Sequence, residues 1–179
     1  RSEVTLDSFD FGLPERERGK APLDILKEAM RPLIECIEER DGWERLIERY
    51  ERNFLAALAR IEGETDDVRE RLRRYVGIYA GVVRENRMCL CGMLAAEYGT
   101  LPEAMRDEMR HFFDENERWL VGVLKEGRRA KLLTFKGTPS EAARALVGSL
   151  EGAMMIARSY GEPARFRAVS DRLLADLGA

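Results

Sequence analysis

Along most of this chain apolar residues return every three or four positions, and no stretch sustains the alternation that a half-buried strand would need. Pro and Gly fall at intervals of about a helix length. The pattern predicts an all-α fold, a helical bundle of about six to seven helices, at about 22–40, 43–61, 66–85, 88–98, 101–131, 139–160 and 163–177. Three start signals support this. Thr138-Pro139-Ser140-Glu141 and Thr100-Leu101-Pro102-Glu103 read as capping boxes, and Thr65-Asp66-Asp67 places a capping hydroxyl and two carboxylates at a helix N-terminus. Residues 1–20 carry Gly12, Pro14 and Gly19 with few spaced apolar positions, and read as an irregular arm. In the segment 21–48, Leu26, Met30, Leu33 and Ile37 keep helical spacing, but Pro32 interrupts it and predicts a kink near Arg31.

Two of the expected helices present more apolar surface than one contact uses. From Met105 the stripe runs through Met109, Phe112, Trp119 and Val123, and Phe113, Leu120 and Leu124 widen it into two adjoining faces. The next helix sets Gly148 and Gly152 four residues apart beside Ser149 and Ala153, a row of small side chains that suits close approach by another helix. Packing within the chain and a twofold-related four-helix bundle account for this pattern equally well.

Composition narrows the class. Of 179 residues, 35% are charged and 45% hydrophobic, which fits a folded domain with a surface of paired charges. One domain is the prior for this length. Thirty basic and 33 acidic side chains leave a net charge of −3, so the overall balance draws the chain toward no nucleic acid. The cluster Lys125, Arg128, Arg129, Lys131 suits the C-terminal end of a helix dipole without one. No apolar run approaches the ~20 residues of a membrane span, and no secretory leader is recognisable, so a cytoplasmic location is expected.

The chemistry-bearing residues are few. Cys89 and Cys91, in RMCLCGMLAAEYG (87–99), would lie about 200° apart around a helix, which excludes a shared metal or an unstrained disulfide. Cys36 and the single histidine, His111, add no zinc-ligand spacing, so no metal and no cofactor are expected. One thiol is expected to fill core volume and the other to face a pocket or neighbouring helix. A redox-sensing thiol remains an alternative, since Arg87 and a helix N-terminus could favour the thiolate. No phosphate loop, nucleophile elbow or catalytic triad can be built around one histidine, and Glu97 and Glu115 read as members of salt-bridged helix faces. No enzyme is expected.

The segments RYERNFLAALARI (49–61), RMCLCGMLAAEYGTLPEAMRDEMRHFFDENERWLVGVLKEGRRAKLL (87–133) and EAARALVGSLEGAMMIARSYG (141–161) resemble the C-terminal regulatory domain of TetR-family transcriptional regulators. More narrowly, they are similar to an AcrR-type branch in which Cys-Leu-Cys-Gly-Met-Leu-Ala-Ala-Glu precedes a Leu-Pro helix. The resemblance covers about 49–177, within an expected regulatory domain of 49–179, and implies a repressor-type domain that binds a small hydrophobic effector within the bundle. It also implies a homodimer through the helices 101–131 and 139–160. Trp119, Val123, Leu146, Gly148, Leu150, Gly152, Ala153 and Met154 are the expected interface. Tyr75, Tyr79, Cys91, Met93, Phe112, Asn116 and Trp119 are the expected pocket walls, apolar with a few polar groups. The three-helix DNA-binding head of the family is not recognisable in 1–48, although VTLDSFDF (4–11) resembles the tail of that motif. DNA binding is therefore expected only through a helix-turn-helix outside this chain. The alternative is a stand-alone helical dimer without ligand or DNA.

Overall fold

A computed structural model describes residues 42–179. The expected helix at 22–40, the arm and the kink at Pro32 lie outside the described residues. Six α-helices follow one another: α1 (Gly42–Glu64), α2 (Val68–Arg84), α3 (Leu90–Ala96), α4 (Glu103–Arg129), α5 (Pro139–Tyr160) and α6 (Pro163–Leu177), with a 3-10 turn at Tyr98–Thr100 between α3 and α4. Among the described residues there is no strand.

Helix ends follow local chemistry closely in the C-terminal third. The Thr138 hydroxyl accepts from the Glu141 N–H at 3.2 Å, and the Glu141 carboxylate accepts from the Thr138 N–H at 2.7 Å. This is the expected capping box, with Pro139 at the first helical position. Helices α5 and α6 each end on a glycine in the left-handed region, Gly161 at φ 66° and Gly178 at φ 75°, where a Cβ would be strained. Two other starts differ from expectation. Asp67, not Thr65, caps α2 by accepting from the Arg69 N–H at 2.9 Å, and the Thr65 hydroxyl accepts instead from the Asp67 N–H. Thr100 turns its hydroxyl back to donate to the Glu97 carbonyl at 2.8 Å within the 3-10 turn. Pro102 therefore opens α4 without a side-chain cap.

Residues Glu44–Ala179 form one packed unit. Helix α5 lies against α4 and α6, α2 crosses α4, α5 and α6, and α3 rests on α4. Leu72, Leu120, Leu124, Leu146, Leu150 and Met154 are fully buried between these helices, with Phe166 brought in from α6. Burial of each such side chain contributes about 1.5–3 kcal/mol. Arg71, nearly buried, ties the start of α2 to the end of α4. It donates to the Thr65 carbonyl at 2.8 Å and pairs with Glu126 at 2.9 Å. Past α4 the chain folds Leu133 back over Gly127, where a Cβ would collide with the leucine side chain. Arg128, from the expected basic cluster, holds this connection by donating to the Phe135 and Gly137 carbonyls at 3.1 and 2.8 Å.

Candidate functional site

Helix α1 lays one face across α2 and α4, and the meeting surface is aromatic. Phe54 packs on Phe112 with ring centres 5.1 Å apart, and on Tyr75 and Tyr79 at 6.4 Å, edge to face. Tyr50, one turn earlier, meets Phe112 at 5.4 Å. The spacing of Tyr50 and Phe54, four residues apart, puts both rings on the face that α1 buries. Tyr75 stacks nearly parallel on Trp119, 5.6 Å away.

Inside this cluster sits a closed polar ring. The Tyr75 hydroxyl donates to Asn116 Oδ1 at 2.7 Å, and Asn116 Nδ2 donates to the Tyr79 oxygen at 2.9 Å. The two phenol oxygens are 3.3 Å apart. Because Tyr75 gives its one proton to Asn116, the Tyr79 proton closes the ring. Burial, the leading influence on both phenols, pushes them above their ordinary range, so they act as neutral donors and acceptors. Asn116 itself is fully buried and links α2 to α4.

Next to the ring, the approach to α3 assembles a second set of polar groups. Cys89 caps α3, its sulfur accepting from the Gly92 N–H at 3.4 Å, and Cys91 is fully buried. The expectation that both cysteines sit inside one helix is corrected: Cys89 stands before the first turn, and both thiols are buried. Burial, then the Glu151 charge, pushes the Cys89 thiol up to about 12. Burial also raises Cys91 and, on α1, Tyr50. A thiolate is disfavoured here, which counts against the redox-sensor alternative.

Glu151 reaches in from α5. Its carboxylate lies against Gly92, where an added Cβ would meet the end of the glutamate side chain and push it aside. Among the described residues, both Glu151 oxygens are buried without a hydrogen-bond partner, and so is the Trp119 indole N–H. Burial raises the Glu151 carboxyl above the ordinary range, and only the neighbouring Cys89 thiol opposes that rise. Among the described residues no group of three or more His, Cys, Asp or Glu side chains is arranged to hold a metal ion. None of the helices described is long and apolar enough to cross a membrane.

Of the expected pocket walls, Tyr75, Tyr79, Phe112, Asn116 and Trp119 come together, and Cys91 lies beside the Cys89–Glu151 group. Met93 does not join them. It is 43% exposed and faces Arg158, whose Nη1 lies 3.7 Å from the sulfur. Two open grooves lie elsewhere. One of about 620 Å³ runs between the α4–α5 connection and α6, lined by Phe135, Leu146, Leu173 and Leu177. Another of about 350 Å³ follows α2 and α6 past Val76, Gly77 and Phe166. None of the expected pocket walls lines either groove. Sequence reasoning missed Tyr50, Phe54 and Glu151. The first two were legible as an aromatic pair at helical spacing, whereas Glu151 resembles any carboxylate on a charged helix.

The expected interface residues divide. Val123, Leu146, Leu150, Ala153 and Met154 are buried inside the protomer, and Trp119 is half-buried against Tyr75. Gly148 and Gly152 are exposed, and a Cβ at either would meet nothing within 4 Å. Gly148 and Gly152 thus face outward, and among the described residues no helix crosses them closely.

Comparison with known proteins agrees with this architecture. A family model described as the tetracyclin repressor-like C-terminal domain matches residues 54–173. Among solved structures, a TetR-family transcriptional regulator from Agrobacterium tumefaciens superposes with a TM-score of 0.75 at 31% identity, over 78% of this chain and 74% of that one. The regulatory protein TetR from Rhodobacter sphaeroides gives 0.69 at 23% identity, over 76% and 75%. The reduced form of NemR from E. coli gives 0.64 at 22%, over 89% and 87%. The last two likenesses are of fold alone. Comparison with curated proteins gives no match. The fold, the matching family model and the 31% identical structure together define an all-α domain of transcription regulators. The chain belongs to the TetR family, through its tetracyclin repressor-like C-terminal domain.

Proposed function

We propose that this domain senses a small hydrophobic effector in the aromatic cluster beneath α1 and works as a homodimer. The observation that carries the effector reading is the cluster itself. Apolar rings surround buried polar atoms, and among the described residues three of those atoms, both Glu151 oxygens and the Trp119 indole nitrogen, have no hydrogen-bond partner. A native core leaves such atoms orphaned rarely, and a ligand that satisfies them gains their desolvation cost back. The lid over the cluster is α1, the first described helix, held there by Tyr50 and Phe54. An effector entering between α1 and α4 displaces α1, and in a member with a DNA-reading head such a shift changes the spacing of two heads.

The dimer reading rests on the outer face of α5. Ala145, Gly148, Gly152, Met155 and Ile156 share that face, all exposed, with Met155 at 49% and Ile156 at 54%. Flat, small and apolar, this stripe fits a second copy of itself across a twofold axis, with α4 beside it, as a four-helix bundle. The buried members of the expected interface serve the protomer core and support the stripe from behind.

Two measurements test the reading. Light scattering of the full chain at micromolar concentration should give a dimer, and Gly152→Glu should give a folded monomer, because space at this position is open and the charge falls on the stripe. A dimeric G152E variant overturns the interface. Thermal shift over a panel of hydrophobic small molecules should find ligands whose stabilisation grows as RT ln(1 + [L]/Kd). A panel without a single hit that saturates overturns the effector reading.

A further inference from the structure

The groove between α2 and α6 is built unevenly along its length. On α2, Arg73, Val76, Gly77, Ala80 and Arg84 share one face by helical spacing, and on α6 Pro163, Phe166, Arg167 and Leu174 line the other wall. The trough of about 350 Å³ between them has an apolar floor. Val76 and Phe166 are buried, Leu174 is half-buried, and a Cβ at Gly77 would meet nothing within 4 Å. Where α2 ends and α6 begins, the trough runs into a second hollow of about 260 Å³, because Val83, Arg84 and Pro163 line both. That hollow adds Asn86, Arg158 and Gly161. No member of the aromatic cluster lines either part, so this groove is a separate place on the molecule.

Four arginines, Arg73, Arg84, Arg158 and Arg167, line the combined groove against one carboxylate, Asp171, in a chain whose net charge is −3. Arg73 pairs with Glu70 at 3.5 Å. The acids nearest the junction are already engaged, Glu85 with Arg87 and Glu162 with Arg165. Among the described residues Arg84, Arg158 and Arg167 make no ion pair, and Arg158 has only the weakly accepting Met93 sulfur at 3.7 Å. Arg84 and Arg158 stand at the junction with the start of α6, which no side chain caps, and Arg167 follows one turn later. One end of the groove therefore gathers unpaired positive charge, and an apolar trough leads away from it along about 16 Å of α2. We propose that this groove binds a single-chain amphiphilic anion, its carboxylate at Arg84 and Arg158 and its tail along Val76, Gly77 and Phe166. A neutral amphiphile brings the arginines no charge, a cation is repelled by them, and a small anion leaves the apolar floor in water. The floor is recessed between two packed helices and does not protrude, so a single chain reaches it and a membrane surface does not.

Three probes with one tail test this on the full chain by calorimetry at neutral pH: decanoate, decanol and decylamine. Decanoate should bind most tightly, and its affinity should fall as salt rises while that of decanol does not. Arg84→Gln combined with Arg158→Gln should raise the Kd of decanoate by roughly tenfold and leave that of decanol within about twofold. Gly77→Leu should weaken decanoate by roughly tenfold or more, because the new side chain occupies the trough. This variant should keep its fold, since leucine favours a helix over glycine and enters open space. Decanoate that does not bind, binds no more tightly than decanol, or binds both variants as it binds the unmutated chain overturns the proposal. The effector reading is left standing in each case, because no residue of the aromatic cluster is changed. Two further measurements exclude other occupants. By light scattering G77L should keep the oligomeric state of the unmutated chain, and a change of state would assign the groove to a second copy. Phosphatidylglycerol vesicles should not sediment the chain, and sedimentation that the double arginine variant abolishes would assign the groove to a membrane. Either result overturns the proposal.

Discussion

Asn116 joins α2 to α4 through both ends of its amide, and replacing it isolates the energetic role of the buried ring. Leu has a similar volume, so Asn116→Leu keeps the site filled while removing the acceptor for Tyr75 and the donor to Tyr79. Only the Tyr75–Tyr79 bond is left, and whichever way it is turned, one phenol proton is orphaned in the core. An orphaned buried donor costs about 1–3 kcal/mol, and the lost bond to the Tyr79 oxygen adds about 0.5–1.5 kcal/mol, so N116L should lose about 1.5–4.5 kcal/mol. Removing the phenol hydroxyls as well removes the orphans. The triple variant Tyr75→Phe, Tyr79→Phe, Asn116→Leu should therefore stand within about 1 kcal/mol of the unmutated chain and be more stable than N116L alone. Urea unfolding followed by circular dichroism, at one fixed protein concentration because association adds to stability, measures all the variants. An N116L variant within about 0.5 kcal/mol of the unmutated chain, or a triple variant as unstable as the summed single substitutions, would refute the reasoning.

The buried acid and thiols lead to further expectations. Because burial raises the folded-state Glu151 carboxyl above its unfolded value, both states hold the proton in acid and no penalty exists there. As pH rises the unfolded chain releases its proton first, and stability falls until the folded carboxyl releases its own. Glu151→Gln should remove that fall, so its advantage in unfolding free energy grows as pH rises above the ordinary carboxylate range and levels off once the folded carboxyl has ionised. An advantage that is constant with pH counts against it. The Cys89 thiol, pushed up to about 12, and the buried Cys91 should react with a thiol reagent at neutral pH only as the chain unfolds. Stoichiometric labelling of either cysteine in the native state would sink this expectation. Gly92→Ala should cost no more than about 1 kcal/mol, since its Cβ meets only the end of the flexible Glu151 side chain, which can swing aside, and Glu151→Ala in the same chain should remove that cost. Equal losses in the single and double variants would show that the collision is not the cause. Arg71→Leu should cost about 1.5–3 kcal/mol, because the bonds to Glu126 and the Thr65 carbonyl are lost together. A fall in stability that disappears in high salt would mean that only a screened surface pair had been broken.

What was legible along the chain was whatever is decided within a turn or two. The capping box at Thr138 and the glycine past Tyr160 set the limits of α5 by local hydrogen bonds, and the structure ends it where the sequence reading does, at 139 and 160. The box read at Thr100 failed for an equally local reason, since the same hydroxyl found the Glu97 carbonyl in a 3-10 turn first. The interface residues show a different limit. Periodicity marks Leu146, Leu150 and Met154 as one apolar stripe and Gly148 and Gly152 as another, but a 3.6-residue period carries no label for which stripe faces inward. Only the packing of α2, α4 and α6 against α5 makes that choice.

By itself, then, the sequence determined the helical class, the limits of the last two helices and the family resemblance, because propensity, caps and spaced apolar residues act over short distances along the chain. The tertiary structure alone decided which side chains meet. Glu151 finds Gly92 across 59 positions' worth of chain as the difference of their numbers, and Asn116 closes a ring with Tyr75 and Tyr79, 41 and 37 positions away. No local pattern marks these partners, since the energy that selects them, burial of polar groups with or without a mate, exists only once the helices have closed over them.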